Sequence, residues 1–402
     1  MKRLFKKLPP FAPDYSGVCS ALFELGGLAV ILDASGCTGN YTGYDEPRWY
    51  DGPGNVLCSS LRELDAVLGD EAKLIQKIRA QLAEQFPQFI ALLGSPAPMV
   101  IGMDYQAVAN EVSQYFGLPT FSFDTSGMYT YERGASQGFS EIAKRFVEPP
   151  SRKRALGVNI LGATPLDLNA ANVALLRRLL EDEGIEVVSC WSMGADLEAL
   201  RHAAEASLNL VVSSTGLATA RYLEKRWGIP YQAGLPVGRA GLRWLKRIRN
   251  GLETGMPDWG EELVLPTHSA QALIIGEQLS ANSIRRCLQA DWGLGEVDVA
   301  SYFQLDPAYR AAADRQLEAE ADLTLLTQTK QYDLIIGDPL FKPLTVQPDS
   351  GVYLELPHYA VSSKLYRTDH RLFLGEPGLE VLGSALNYLV SIKDQFKTTQ
   401  RM

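Results

Sequence analysis

One local pattern recurs along the chain and restricts it to a narrow group of folds. A run of four to six apolar residues ends in Gly or Ser, a turn of small residues follows, and a helical pattern begins. FIALLGSP (89–96) leads into VIGMDYQAVANEVSQYFGLPTFSF, LNLVVSSTG (208–216) into LATARYLEKRWGIPYQAG, and ALIIGEQ (272–278) into LSANSIRRCLQADWGLGEVDVASYF. Uninterrupted apolar strands belong in a parallel sheet covered by helices on both faces. The junctions repeat as well. Phe116-Gly117-Leu118-Pro119 and Trp227-Gly228-Ile229-Pro230 each close a helix and open a strand, with Gly supplying the left-handed cap and Pro forbidding continuation. YDLIIGDPL (332–340) begins a further unit. The polar, Pro-bearing stretches EPPSRKR (148–154) and GMPDWGEELVLPT (255–267) separate these units. The expected architecture is therefore α/β, with three Rossmann-like domains whose parallel sheets surround a central cleft. They span 1–150, 151–265 and 266–402, and a C-terminal helix from Gly378 to about Lys397 packs back on the body.

Composition removes several functions. A chain of 402 residues buries a large core without staples. With 38 Lys+Arg against 47 Asp+Glu it carries a net charge of −9, which argues against binding duplex nucleic acid through its phosphates. It has no apolar run long enough for a membrane span. The basic start, MKRLFKKLPPF, lacks the apolar segment of a secretory signal. Five cysteines, an odd number without any C-x-x-C, fit a reduced, cytoplasmic compartment better than a disulfide framework. P-loop, dinucleotide-fingerprint, nucleophile-elbow and H-E-x-x-H motifs are all missing, and the four histidines have no metal-ligand spacing. The cleft is thus expected to hold something other than a Rossmann cofactor.

In open α/β sheets, ligands bind beyond the carboxyl ends of strands. The turns there are Ser95-Pro96-Ala97-Pro98, Ser213-Ser214-Thr215-Gly216, Gly276-Glu277-Gln278 and Gly337-Asp338-Pro339. Each is a candidate wall of one cleft, and each also meets the ordinary needs of a tight turn. Two cysteines sit in unusual surroundings. Cys37 lies in Ser35-Gly36-Cys37-Thr38-Gly39, and Cys19 follows Ser16-Gly17-Val18, ahead of the helix-like apolar stretch ALFELGGLAVILDAS. Glycines beside a thiol let the backbone crowd an inorganic group. On residues alone a cluster ligand, a turn-packing cysteine and a redox-active thiol all stay open.

The order of these segments resembles the nitrogenase component 1 family. That family includes nitrogenase subunits, cofactor-assembly scaffolds and dark-operative protochlorophyllide reductase. The resemblance rests on 16–19 and 35–38, on Leu61-Arg62-Glu63-Leu64-Asp65-Ala66-Val67-Leu68-Gly69 with Lys73-Leu74, and on 208–211 and 227–230. It implies an iron–sulfur cluster, of [4Fe-4S] type, at an interface with a homologous component 1 subunit or a second copy of the chain. It also implies electrons from a separate ATP-dependent iron–sulfur reductase, which would account for the missing P-loop. Cys19 and Cys37 match ligand regions. Ala97 stands at the third ligand position and cannot bind iron, so Cys58 is the expected replacement. Ser213 occupies the place of the cysteine that anchors the molybdenum–iron cofactor, and Glu141 the place of a histidine near it. No such cofactor is therefore expected, and dinitrogen is not the expected substrate. The resemblance then implies an oxidoreductase subunit that reduces a small organic or sulfur-containing molecule in the cleft. Glu141, Asp338 and His358 are its candidate proton donors. A metallocluster scaffold and a noncatalytic partner subunit are the alternatives.

Overall fold

The computed structural model describes residues 5–50, 54–62, 71–255, 265–349 and 351–399. The strands form three all-parallel sheets. The first holds β1 (Leu28–Ile31), β2 (Val56–Cys58), β3 (Ile90–Leu93) and β4 (Thr120–Phe123), in the order β2-β1-β3-β4. The second holds β5 (Arg154–Ala163), β6 (Glu186–Ser192), β7 (Ala206–Val211) and β8 (Tyr231–Ala233), in the order β6-β5-β7-β8. The third holds β9 (His268–Ile275), β10 (Leu294–Ser301), β11 (Arg315–Gln316), β12 (Leu334–Gly337) and β13 (Val352–Glu355), in the order β11-β10-β9-β12-β13.

The central strands β1, β3 and β12 are buried at every residue, as their continuous apolar runs require. The repeated junctions work as their sequences indicate. Gly117 and Gly228 close the helices Tyr105–Phe116 and Leu217–Trp227 at φ of 67° and 68°. The stretch after Cys19 differs from its helix-like appearance. Cys19 already lies inside the helix Asp14–Leu22, Gly26 turns the chain at φ 70°, and the remaining apolar residues become β1. Most of the LRELDAVLG motif, residues 63–69, lies outside the described residues.

The sheets share their cores. One apolar cluster runs from Leu176 and Leu210 through Trp244 to Ile274, Leu334 and Leu386, so the C-terminal helix Gly375–Thr399 packs against both later sheets. Another joins Phe89 and Phe139 of the first unit to Trp191 and Leu223 of the second. Among the described residues, no helix is long and apolar enough to cross a membrane.

The closest helix contact lies under the first sheet's site. Helix Asp14–Leu22 meets helix Tyr131–Phe146 through Gly17 and Gly134. A Cβ on Gly134 would lie 1.7 Å from the Asp14 carbonyl oxygen, and one on Gly17 would lie 1.9 Å from that of Tyr131. The two backbones therefore touch directly, and neither overlap can be relieved by turning a side chain. Gly134→Ala is expected to cost about 3 kcal/mol, near the upper end for overpacking. Chemical denaturation measures it, and a loss below about 0.5 kcal/mol would show that the helices part freely.

Candidate active site

In each sheet the strand order reverses direction once, and crevices open at such switch points beyond the carboxyl ends of the strands. The reversals fall between β1 and β3, β5 and β7, and β9 and β12. The loops leaving these strands carry Asp33, Cys37 and Ser95 in the first sheet, Asp167, Ser213 and Ser214 in the second, and Glu277 and Asp338 in the third.

The first crevice gathers two of the thiols. Cys58 ends β2 opposite Ile31 of β1, and Cys37 lies in the short helix Gly36–Asn40 that follows β1. Asp33 links them. Its backbone carbonyl accepts from the Cys58 thiol at 3.6 Å, and its carboxylate accepts from the Thr38 N–H at 3.0 Å. Cys58 Sγ also accepts from the N–H of Ser60, which is held at φ 52°, a conformation uncommon outside glycine. A Cβ added at Gly36 or Gly39 would meet nothing, so the Cys37 loop has open space around it. Burial raises the Cys37 thiol's pKa and the Asp33 carboxylate adds to the rise, whereas the Tyr15 and Ser95 hydroxyls act against it.

Cys19 is different. It is 1% exposed within the apolar cluster, and burial, then the Glu46 carboxylate, push its thiol well above the usual range. Among the described residues no group of three or more His, Cys, Asp or Glu is arranged to hold a metal ion. The thiols thus fit an iron–sulfur cluster in part. Cys37 and Cys58 are half-buried at one sheet end, Cys19 is sealed one helical turn beyond Tyr15, and further ligands must come from outside this group. Tyr41 is fully buried and does not contribute to a surface beside them. Met99, Val100, Ile101, Met128 and Tyr129 are the exposed apolar residues of the neighbouring loops.

A cleft of about 330 Å³, within the size range of small-molecule sites, opens beside the second crevice, lined by the loop after β5 and by the segment after β13. Its walls include Arg48 from the first unit, Asp167 and Asn169 from the second, and Tyr359 and Arg371 from the third. A smaller cavity of about 50 Å³ lies beside it, lined by Asp167, Glu277 and His358. Asp167 borders both spaces.

The structure joins His358 and Asp338 through the backbone, since the His358 main-chain N–H donates to Asp338 Oδ2 at 2.8 Å. Asp338 also caps its own turn by accepting from the Leu340 N–H, and burial is the largest influence on it, raising its pKa. Glu141 does not join them. It sits more than two helical turns beyond Glu132 on helix Tyr131–Phe146, paired with Lys144 at 2.9 Å and Arg145 at 3.2 Å. Those two cations outweigh the effect of burial and lower its pKa. The i+3 and i+4 spacing of Lys144 and Arg145 already indicated a solvated helix face. Ser213 is buried and turned into its own loop, donating to the Gly162 carbonyl at 2.9 Å and bonding Thr215 Oγ1 at 2.6 Å. Ser95-Pro96-Ala97-Pro98 belongs with the thiols and not with the cleft. Sequence reasoning missed Tyr131, Glu132 and Asp167. No motif marks them, and only Glu277 lay in a turn already expected to face the cleft.

The site therefore combines a thiol pair at the end of the first sheet with a cleft walled by all three units. A family model described as nitrogenase component 1 type oxidoreductase matches residues 13–263, and the chain belongs to this family. Relatives include a subunit of the light-independent protochlorophyllide reductase of Zygnema circumcarinatum, 27% identical over 208 residues, or 49% of this chain and 40% of that protein. The like-named protein from a Synechococcus species is 27% identical over 352 residues, 77% of this chain and 68% of its own. The nitrogenase iron-molybdenum cofactor biosynthesis protein NifE of Clostridium pasteurianum is 27% identical over 180 residues, 44% of this chain and 39% of that one. The matched part therefore spans well under half of the Zygnema and Clostridium proteins. A solved structure described as nitrogenase Cp1 at pH 6.5 superposes with a TM-score of 0.73, covering 98% of this chain and 94% of the other. At 13% identity that likeness is one of fold.

Proposed function

We propose that this chain is a subunit of a nitrogenase-like oxidoreductase. It receives electrons from an ATP-dependent iron–sulfur reductase and reduces a small organic or sulfur-containing molecule in the cleft between units bounded near residues 150 and 265. The observation that carries this reading is a 330 Å³ cleft walled by residues of all three units, with Cys37 and Cys58 at the end of the first sheet. Cys37 and Cys58, with Cys19 after local opening, would hold a [4Fe-4S]-type cluster whose remaining ligands come from a homologous chain or a second copy. Bound there, the cluster would supply one-electron transfer. Asp33 fixes the two loops that present the thiols, and the apolar loop residues Met99, Val100 and Met128 favour a covered face. The inward turn of Ser213 supports an organic ligand over a metal cofactor, because its oxygen is engaged and is a poor ligand for soft iron.

The test is anaerobic reconstitution with iron and sulfide, followed by an assay with a reductase of this class, ATP and candidate acceptors. Wild-type protein is expected to bind iron, and Cys37→Ala and Cys58→Ala each to lose most of it. Full iron content in Cys58→Ala would remove that residue from the ligand set, and no iron in the wild type would end the cluster reading. A metallocluster scaffold is the second reading, favoured by the relative named as a cofactor biosynthesis protein. Release of an iron-rich cluster to an acceptor protein, without turnover of any organic molecule, would select it.

A further inference from the structure

The head of helix Tyr131–Phe146 and the loops after β5 and β9 each bring one carboxylate to a common buried place. Glu132 is 5% exposed, Glu277 is 1% exposed, and the Asp167 side chain is fully enclosed. Their hydrogen bonds tie the three segments together. Ser214 Oγ donates to Glu132 at 3.2 Å while the Ser214 N–H donates to Glu277 at 2.9 Å. Thr164 donates to Asp167 at 2.7 Å, and the Tyr131 hydroxyl donates to the same carboxylate. Among the described residues, none of the three makes an ion pair with Lys or Arg.

His358 completes the group. Its ring lies 4.9 Å from that of Phe303 and 6.1 Å from that of Tyr131. Both ring nitrogens are buried without a hydrogen-bond partner, and Nε2 stands 3.7 Å from Asp167 Oδ1, just beyond bonding distance. An unpaired buried imidazole is costly, so these nitrogens call for water or a ligand. The adjoining cavity of about 50 Å³ has room for one or two waters.

We propose that Glu277, His358 and Asp167 form a proton relay toward the cleft, with Glu132 as the adjoining acid and Asp167, whose enclosed carboxyl lies behind the wall, as its last member. This rests on the reading of the cleft as a site of reduction. A proton passed to the bound molecule leaves the Asp167 carboxyl as that side chain turns out of its enclosure, breaking one O–H bond there. It is replaced from His358 Nε2–H, and His358 is reprotonated from Glu277 through cavity water. Ser214 holds Glu132 beside Glu277, its hydroxyl on one carboxyl group and its backbone N–H on the other, so Glu132 adjoins the relay and does not pass protons through Ser214. Electrons come from the iron–sulfur reductase and do not pass through these groups. Burial pushes Glu132 up to about 8, with Glu277 and Asp167 adding to the rise, so Glu132 holds its proton at neutral pH; burial and then Asp167 raise Glu277, against the backbone N–H groups of Ser280, Leu279 and Ser214. The other titratable groups against it are Tyr131 beside Asp167, and Asp338 and Tyr353 beneath His358.

Infrared spectroscopy of the protein alone tests the buried acid. A buried carboxylic-acid band is expected at pH 7, with the part due to Glu132 missing in Glu132→Gln. Turnover tests delivery. Asp167→Asn is expected to lower kcat on the order of 10²-fold with little change in KM, and to flatten the pH profile. His358→Gln should do so more weakly, and serves where Asp167→Asn does not fold. Absence of the band at pH 7 would overturn the relay even in a protein that turns over, and so would unchanged kcat in both variants. A band that responds as expected, in a protein that reduces no acceptor, would overturn only the reading of the cleft.

Discussion

Replacing Arg48 with Met is expected to remove about 3–5 kcal/mol of stability, because it leaves a buried carboxylate without its partner. Arg48 grips Glu46 with two parallel bonds, Nε to Oε1 at 2.7 Å and a terminal nitrogen to Oε2 at 2.9 Å. Glu46 is 1% exposed and Arg48 is 13% exposed as a side chain, so water replaces little of what the substitution removes. The same guanidinium donates to the carbonyls of Ser20 at 2.7 Å and Ser192 at 3.3 Å, and lies 4.5 Å over the Phe23 ring. It therefore ties the helix beneath the thiols to the end of β6 in the second unit. Lysine cannot reproduce that fork. Urea unfolding at pH 7 measures the loss. Adding Glu46→Gln to Arg48→Met should recover part of it, since the charge left behind is then gone. A loss under about 1 kcal/mol in the single variant would mean that Glu46 finds water or another donor.

The sheets were legible because their signal is local. Three or four apolar residues followed by Gly, as in Ile90–Gly94 and Leu334–Gly337, can be satisfied only where both faces are covered. The glycine junctions at 117 and 228 were readable for the same reason, since a left-handed cap is a property of one residue. The thiols were legible as residues but not as a site. Whether Cys19 is sealed depends on the contact through Gly17 and Gly134, partners more than a hundred residues apart. The cleft was least legible. Asp338 was singled out because it follows a strand end, whereas His358 and Glu141 came from the family resemblance, and alignment position says nothing about which side of a helix faces a cleft. Glu132, nine residues earlier, faces inward, and its surroundings come from three distant loops that no local pattern connects.

That inward carboxylate gives the remaining large effect. Burial comes first among the influences that lift Glu132 from 4.5 to about 8, with Glu277 and Asp167 adding to it and the Thr130 and Ser214 hydroxyls opposing it. A folded-state pKa above the unfolded one means that the folded chain binds the proton more tightly. The stability this contributes is fully present below about pH 4.5 and is lost as pH rises through about 8. Between those ends it amounts to roughly 4–5 kcal/mol, at about 1.4 kcal/mol per tenfold change in proton affinity. Glutamine has the shape of the protonated acid and cannot ionise. Glu132→Gln should therefore unfold like the wild type at pH 5 and be the more stable protein at pH 9 by several kcal/mol. Thermal or urea unfolding across that range reads the difference directly. Parallel curves from pH 5 to pH 9 would mean that Glu132 is ionised throughout and meets a counter-charge or water in the folded chain.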